Sequence, residues 1–157
     1  MKKLILGILL VFPFILKAQT PYKFGIGAGY QPFNKEFTIN SKLYLKSGDA
    51  LELILSSDKR FNKATLLFDA NLPITSKNLK IVAGVGTHVG VWKDGFRTNS
   101  YTTNPVIGMD GILGLEYRIP KLPVSIQAHY QPSVDFIGNT EFFPYKEQLG
   151  IVFKIIL

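Results

Sequence analysis

The chain has 157 residues, a charged fraction of 18%, no cysteine and a formal net charge of +7. This length favours one domain, and the lack of cysteine excludes disulfide frameworks and thiolate metal sites. Part of the positive charge lies in an N-terminal segment that we expect to be removed, so the charge gives little support to nucleic-acid binding.

Residues 1–18 have the layout of a secretory signal peptide. Two lysines precede an apolar run over 4–16, and Ala18 offers a small residue before a cut at Gln19. The apolar run is too short to span about 30 Å of hydrocarbon as a helix. We therefore predict an exported protein whose single domain covers 19–157. Its net charge falls from +7 to +4, because three lysines are lost with the signal peptide.

The rest of the chain predicts strands. Short segments alternate between apolar and other residues with a period of two, and turn residues separate them. In chain order, the eight predicted strands lie near 22–31, 37–46, 50–56, 64–72, 79–92, 106–118, 124–131 and 147–157.

One face of every predicted strand is free of charge, and the opposite face is polar and rich in glycine. On the polar face we place a network formed by Glu52, Asp69, Lys80, His88, Asp110, Glu116, Arg118, His129 and Lys154, and the same face carries Lys42. This segregation is typical of a transmembrane barrel, because a charge facing lipid at mid-depth costs about 2–4 kcal/mol. The predicted fold is all-β, an eight-stranded antiparallel up-and-down transmembrane β-barrel. A soluble lipocalin-like barrel would place the apolar face inside, but glycine suits a crowded, curved interior better than a solvated exterior.

The predicted connections suggest an orientation. Short turns fall at 47–49, 73–78 and 120–123, and longer or more polar loops fall at 32–36, 57–63, 93–105 and 132–146. With an even strand count, both termini and the short turns lie on the periplasmic side. Aromatic residues near the strand ends fit interfacial girdles. The outside loops carry Lys35, Lys59, Arg60, Lys63, Lys93 and Arg97, and loop 93–105, with Phe96 and Tyr101, is the expected site for a surface ligand.

The last strand resembles the signal by which outer-membrane barrels are recognised for assembly. That signal consists of a polar residue, a glycine two positions later, and aromatic or apolar residues three and five positions after the glycine. Here this spacing is matched by Gln148, Gly150, Phe153 and Ile155. The stretch from 79 to 157 resembles small outer-membrane barrels common in the Bacteroidota. The segments that carry the resemblance are Val82–Gly90, Ile107–Tyr117, Ile119-Pro120 and Gln131-Pro132-Ser133. The resemblance implies the fold, an outer-membrane location, and the barrel assembly machinery and membrane lipid as partners, but it implies no activity.

The sequence offers little for catalysis or metal binding. His88 and His129 are the only histidines, and neither has a second histidine at metal-ligand spacing. Outer-membrane lipid A deacylases place a serine two residues after a histidine. Here Ser133 lies too far beyond His129 to be expected beside it on the same face. We expect no enzymatic activity, no cofactor and no nucleic-acid partner.

The inward charges have two interpretations. They either form a mutually neutralising plug, as expected of a narrow barrel filled by side chains, or line a minimal channel for small solutes. We predict a structural or surface-interaction barrel with a filled lumen. The small-solute channel, the soluble lipocalin-like carrier and the lipid A-modifying enzyme are alternatives.

Overall fold

A computed structural model of the protein describes residues 24–33, 35–45, 48–58, 61–74, 78–92, 104–137 and 148–157. The predicted signal peptide and most of loop 93–105 lie outside these ranges. The described residues contain no helix that is long and apolar enough to cross a membrane.

All regular structure in the described ranges is β. The strands are β1 Phe24–Gln31, β2 Glu36–Tyr44, β3 Asp49–Ser57, β4 Phe61–Pro73, β5 Leu79–Trp92, β6 Asn104–Arg118, β7 Val124–Tyr130, β8 Ser133–Ile137 and β9 Leu149–Ile156. They form where apolar and polar residues alternate, because successive side chains of a strand point to opposite faces.

The sheet closes on itself. β1 to β6 pair with their sequence neighbours in antiparallel register, and β9 pairs with both β1 and β7. β7 and β8 both pair with β6, at different points along its length, so together they form one interrupted strand. The result is a closed eight-stranded antiparallel barrel, and the predicted fold class is confirmed.

The seventh strand is longer than predicted. It was expected to end at 131, with a loop over 132–146, but β8 continues the ladder to Ile137. Pro132 has no N–H to donate, yet its carbonyl accepts from the N–H of Gly111 at 2.8 Å, so the sheet bridges the interruption. The predicted loop 57–63 is also largely strand, since β3 ends at Ser57 and β4 begins at Phe61.

The two ends of the barrel differ. The short-turn end holds the connections 45–48, 74–78 and 119–123, and there the N–H of Leu157 donates to the carbonyl of Phe24. The loop end holds the connections 32–35, 58–60, 93–103 and 138–148. Two of the four connections at the loop end are therefore as short as the turns opposite.

The two faces of the wall are chemically distinct. Outward side chains such as Val85, Leu113 and Phe153 are large, apolar and about 60% exposed. Apart from Asp49 at the start of β3, the charged residues of the described strands occupy inward positions and are buried or half-buried. Inside, one side of the lumen is packed by a small apolar cluster formed by Ile54, Leu67, Val82 and Ile112.

Candidate functional site in the barrel lumen

A cluster of fully buried ionic side chains fills the middle of the lumen. We call Lys42, Glu52, Asp69, Glu116 and Lys154 the central cluster. The β2–β3 register places Lys42 directly opposite Glu52, and the closed sheet brings Glu116 in from the far wall. The ammonium of Lys42 lies 3.1 Å from Asp69 Oδ2 and 3.4 Å from both Glu52 Oε2 and Glu116 Oε2.

Lys154 is the second cation of the central cluster. Its Nζ lies 3.0 Å from Glu52 Oε1 and 3.9 Å from Glu116 Oε2, and it donates to Gln127 Oε1. Two ammonium groups thus serve three carboxylates, and all five side chains are 0–3% exposed. Buried charges must be paired, and the alternation of ammonium and carboxylate groups in the central cluster meets this requirement.

Neutral donors bond two of the three carboxylates of the central cluster, whereas Asp69 Oδ1 has no hydrogen-bond partner in the described structure. Asn40 Nδ2 donates to Glu52 Oε1 at 3.0 Å, and Thr38 donates to Asn40 Oδ1 at 2.9 Å. The Tyr44 hydroxyl donates to Glu116 Oε1 at 2.7 Å. These bonds satisfy further lone pairs of the carboxylates and hold them in place.

A second ionic group, the loop-end cluster, consists of Lys63, His88, Asp110, Gln131 and Asp135. Asp110 accepts from Lys63 at 3.3 Å and from Gln131 at 3.0 Å, and its other oxygen meets His88 Nδ1. His88 Nε2 lies 3.0 Å from Asp135 Oδ1. An ionised carboxylate only accepts hydrogen bonds, so this geometry suits an imidazole ring that carries a hydrogen on both nitrogens.

One wall of the lumen, opposite the apolar cluster, is polar but poorly paired. Gln31 on β1, Ser125 and His129 on β7, and Gln148 before β9 are buried, and each has at least one side-chain polar atom without a hydrogen-bond partner in the described structure. Both ring nitrogens of His129 are among these atoms. Gly150 makes room for that ring, since a Cβ at position 150 would lie 2.8 Å from His129 Nε2. We call this strip the polar wall; such unpaired buried groups favour bound water.

Of the nine residues predicted for the lumen, all lie on inward positions, but they do not form one network. Glu52, Asp69, Glu116 and Lys154 meet in the central cluster, whereas His88 and Asp110 meet in the loop-end cluster. Lys80 and Arg118 lie at the short-turn end, around the ring of Tyr44. His129 stands apart on the polar wall.

The structure adds residues that the predicted network lacked. Lys42 contacts three carboxylates of the central cluster. The alternation pattern had placed it on the inward face but not in the predicted network. Lys63 was assigned to an outside loop; this is wrong, because β4 begins at Phe61 and turns Lys63 inward to Asp110. Asp135 fell in the predicted loop 132–146, which is also wrong, because the predicted seventh strand ended before β8. The alternation of Lys63 with Thr65 and Asp69 was the signal that could have placed Lys63 correctly.

The predicted assembly-signal residues divide between the faces. Gln148 and Gly150 point inward, while Phe153 and Ile155 are 58% and 54% exposed on the outer wall. The predicted surface-contact residues Lys59, Arg60, Lys93, Phe96, Arg97 and Tyr101 lie outside the described residues.

The histidines form no catalytic arrangement within the described residues. Ser133 does share the inward face with His129, contrary to expectation, because the strand resumes beyond Pro132 in the same phase. Its hydroxyl, however, accepts from Gln148 Nε2 at 2.9 Å, and it is not bonded to His129. In the described part of the chain, no three His, Asp or Glu residues are placed to hold a metal ion.

The barrel resembles a known outer-membrane structure. It matches the crystal structure of the N-terminal β-barrel domain of Pseudomonas aeruginosa OprF with a TM-score of 0.64 and 12% sequence identity, covering 85% of this chain and 95% of that chain. At this identity the likeness shows the fold alone. No protein-family model and no curated protein matches the sequence. Nothing in these comparisons supports the narrower resemblance to barrels of the Bacteroidota.

Proposed function

We propose that the chain is an integral barrel of the outer membrane, exported by a signal peptide over residues 1–18, with a structural or surface-interaction role. The observation that carries this proposal is the distribution of charge. Inward positions hold both ionic clusters, whereas large apolar side chains cover the outside. A water-soluble barrel would leave this apolar surface in contact with solvent. Such exposure would be unusual, because a typical soluble monomer exposes contiguous apolar patches of only a few hundred Å².

The aromatic residues at the loop end support the same location. Tyr30 and Phe37 face each other across β1 and β2, with ring centroids 5.0 Å apart, and are 39% and 69% exposed. Outward-facing aromatic side chains at strand ends are typical of the headgroup level of a bilayer. The lumen supports a structural role over transport, because the central cluster fills it with paired charges.

Fractionation of cell envelopes tests the location. We expect the protein in the outer-membrane fraction, and we expect it to migrate faster on a gel unboiled than boiled, because a closed barrel stays compact in detergent. Recovery in the soluble periplasm without any mobility shift would contradict the proposal.

The partners of this barrel are also proposed. Outer-membrane lipid would contact the apolar exterior, and the barrel assembly machinery would read the final strand, where Phe153 and Ile155 are exposed outward. A Phe153→Ser variant would insert more slowly than a Leu149→Ser control, which changes an outward residue outside the signal. Equal insertion rates of the two variants would contradict the assignment of the assembly signal to β9. A surface ligand would bind loop 93–105.

A minimal channel is the second candidate, and the polar wall favours it. Unpaired polar atoms of Gln31, His129 and Gln148 offer a hydrated strip beside the central cluster. Discrete conductance steps in planar bilayers would support this function. Gln31→Leu should then lower the conductance, whereas Ile54→Val, on the apolar side of the lumen, should not. Bilayers that contain correctly folded protein but show no steps would exclude it.

A further inference from the structure

The short-turn end of the barrel contains a cavity of about 850 Å³. The last residues of β2 and β4, the first of β5 and the connection after β6 line it. Its size falls in the usual range of small-molecule sites, about 300–1,000 Å³. The central cluster lies on the inner side of this cavity, because Tyr44 lines the cavity and its hydroxyl donates to Glu116. We call the cavity the vestibule.

Among the described lining residues of the vestibule, three are cationic, Lys80, Arg118 and Lys121, and one is acidic, Asp49. Lys80 Nζ and the Arg118 guanidinium lie 5.8 and 6.0 Å from the ring centroid of Tyr44, and Lys42 Nζ lies 5.6 Å from it. Lys42 is neutralised by the carboxylates of the central cluster, and the Tyr44 hydroxyl already donates to Glu116. Lys80 is half-buried and forms no ion pair with any residue that the structure describes.

Asn71 supplies an independent sign of a missing ligand. Its side chain lines the vestibule, and the residue is only 4% exposed. Neither its Oδ1 nor its Nδ2 has a hydrogen-bond partner within the described structure. A buried amide without partners is costly, and native proteins rarely leave one unsatisfied.

We propose that this vestibule binds an organic anion through a carboxylate or phosphate group. Lys80 and Arg118 supply the positive charge, and the Asn71 amide donates a hydrogen bond to the oxyanion. Arg118 is suited to this role because its planar guanidinium can bind two oxygens of such a group. The apolar side chains of Leu45 and Leu122 at the rim fit the hydrocarbon part of the ligand.

Calorimetric titration of the purified, detergent-solubilised protein tests the proposal. Citrate and inorganic phosphate are the soluble probes, and a short-chain phosphatidylglycerol is the lipid probe, all at constant ionic strength. We expect saturable binding of at least one probe. Lys80→Gln should weaken it at least tenfold, the loss of about 1.4 kcal/mol that a single charged contact readily accounts for.

A matched control removes the same charge at the opposite end of the barrel. Lys35 is exposed with a φ of 54°, and asparagine tolerates this left-handed conformation, so Lys35→Asn tests the charge effect without strain. Its binding should equal that of the wild type. Equal weakening by both substitutions would indicate general electrostatics and overturn the site, as would the absence of binding for all three probes.

Folding is monitored separately, so that a lost signal can be interpreted. Lys80→Gln and Asn71→Leu should both keep the heat-modifiable mobility, because the Asn71 amide makes no hydrogen bond in the described structure and Lys80 loses only its 5.8 Å contact with the Tyr44 ring. Asn71→Leu, which keeps the shape of the amide, should also weaken binding. If only the lipid probe binds, and Lys80→Gln abolishes that binding, the site stands and its ligand comes from the membrane. Unchanged binding by Asn71→Leu and Lys80→Gln would refute it.

Discussion

Replacing Lys42 with methionine should destabilise the barrel more than any other single loss of charge in the lumen. Lys42 is fully buried and has three carboxylates within 3.4 Å. At an effective dielectric constant of about 20, each of these pairs contributes about 5 kcal/mol of attraction, most of which desolvation offsets. Lys42→Met leaves Lys154 alone with three carboxylates. Breaking such a buried pair costs about 3–5 kcal/mol of unfolding free energy.

Urea unfolding from detergent micelles, followed by far-UV circular dichroism and by gel mobility, measures this loss. Lys63→Met is the matched control, because Asp110 keeps His88 and Gln131 as partners when Lys63 is removed. We expect its cost to be less than half that of Lys42→Met. The reasoning fails if the two variants lose equal stability.

A second variant separates electrostatics from packing. Asp69 has Lys42 as its ion-pair partner in the central cluster, so Lys42→Met with Asp69→Asn removes one charge of each sign. If unpaired charge causes the loss, the double variant should recover at least about 1 kcal/mol relative to Lys42→Met, as coupled neighbours do in double-mutant cycles. A double variant as unstable as Lys42→Met would show that the lost methylene packing, and not the charge, is responsible.

Three further predictions concern the wall, the packing of the lumen and processing. Leu113 is 59% exposed on the outer face, so Leu113→Arg should cost about 2–4 kcal/mol in lipid vesicles; full stability would place this face out of the bilayer. Gly108→Ala should lose about 1–3 kcal/mol by overpacking, because its Cβ would lie 2.7 Å from His88 Nε2. In the same urea assay Gly111→Ala, whose Cβ would meet no atom closer than 3.4 Å, should lose less; equal losses would dismiss the steric argument. Mass spectrometry of the envelope protein should find an N-terminus at Gln19; an intact residue 1 would refute cleavage.

The alternation of residues along the chain was sufficient to predict the barrel wall. Period-two patterning fixes which face each residue occupies, and one charged residue in the wrong phase would be costly in lipid. Glu52, Asp69, Glu116 and Lys154 could therefore be placed inside the barrel from sequence alone. The errors arose at strand ends, where a proline or a polar run resembles a loop. As a result, Lys63 and Asp135 were predicted in loops although they lie on strands.

The sequence by itself determined the class of fold, the number of strands around the barrel and the inward or outward direction of most side chains, because these depend on local alternation. Only the tertiary structure decided which charges meet. Lys42 and Glu116 lie far apart in the chain, and their contact depends on strand register and on the closure between β1 and β9. The vestibule likewise exists only where the ends of β2, β4, β5 and β6 converge. The chemical type of a residue determines which groups its side chain can pair with. Which of those groups it actually contacts depends on the register of the strands around the closed barrel.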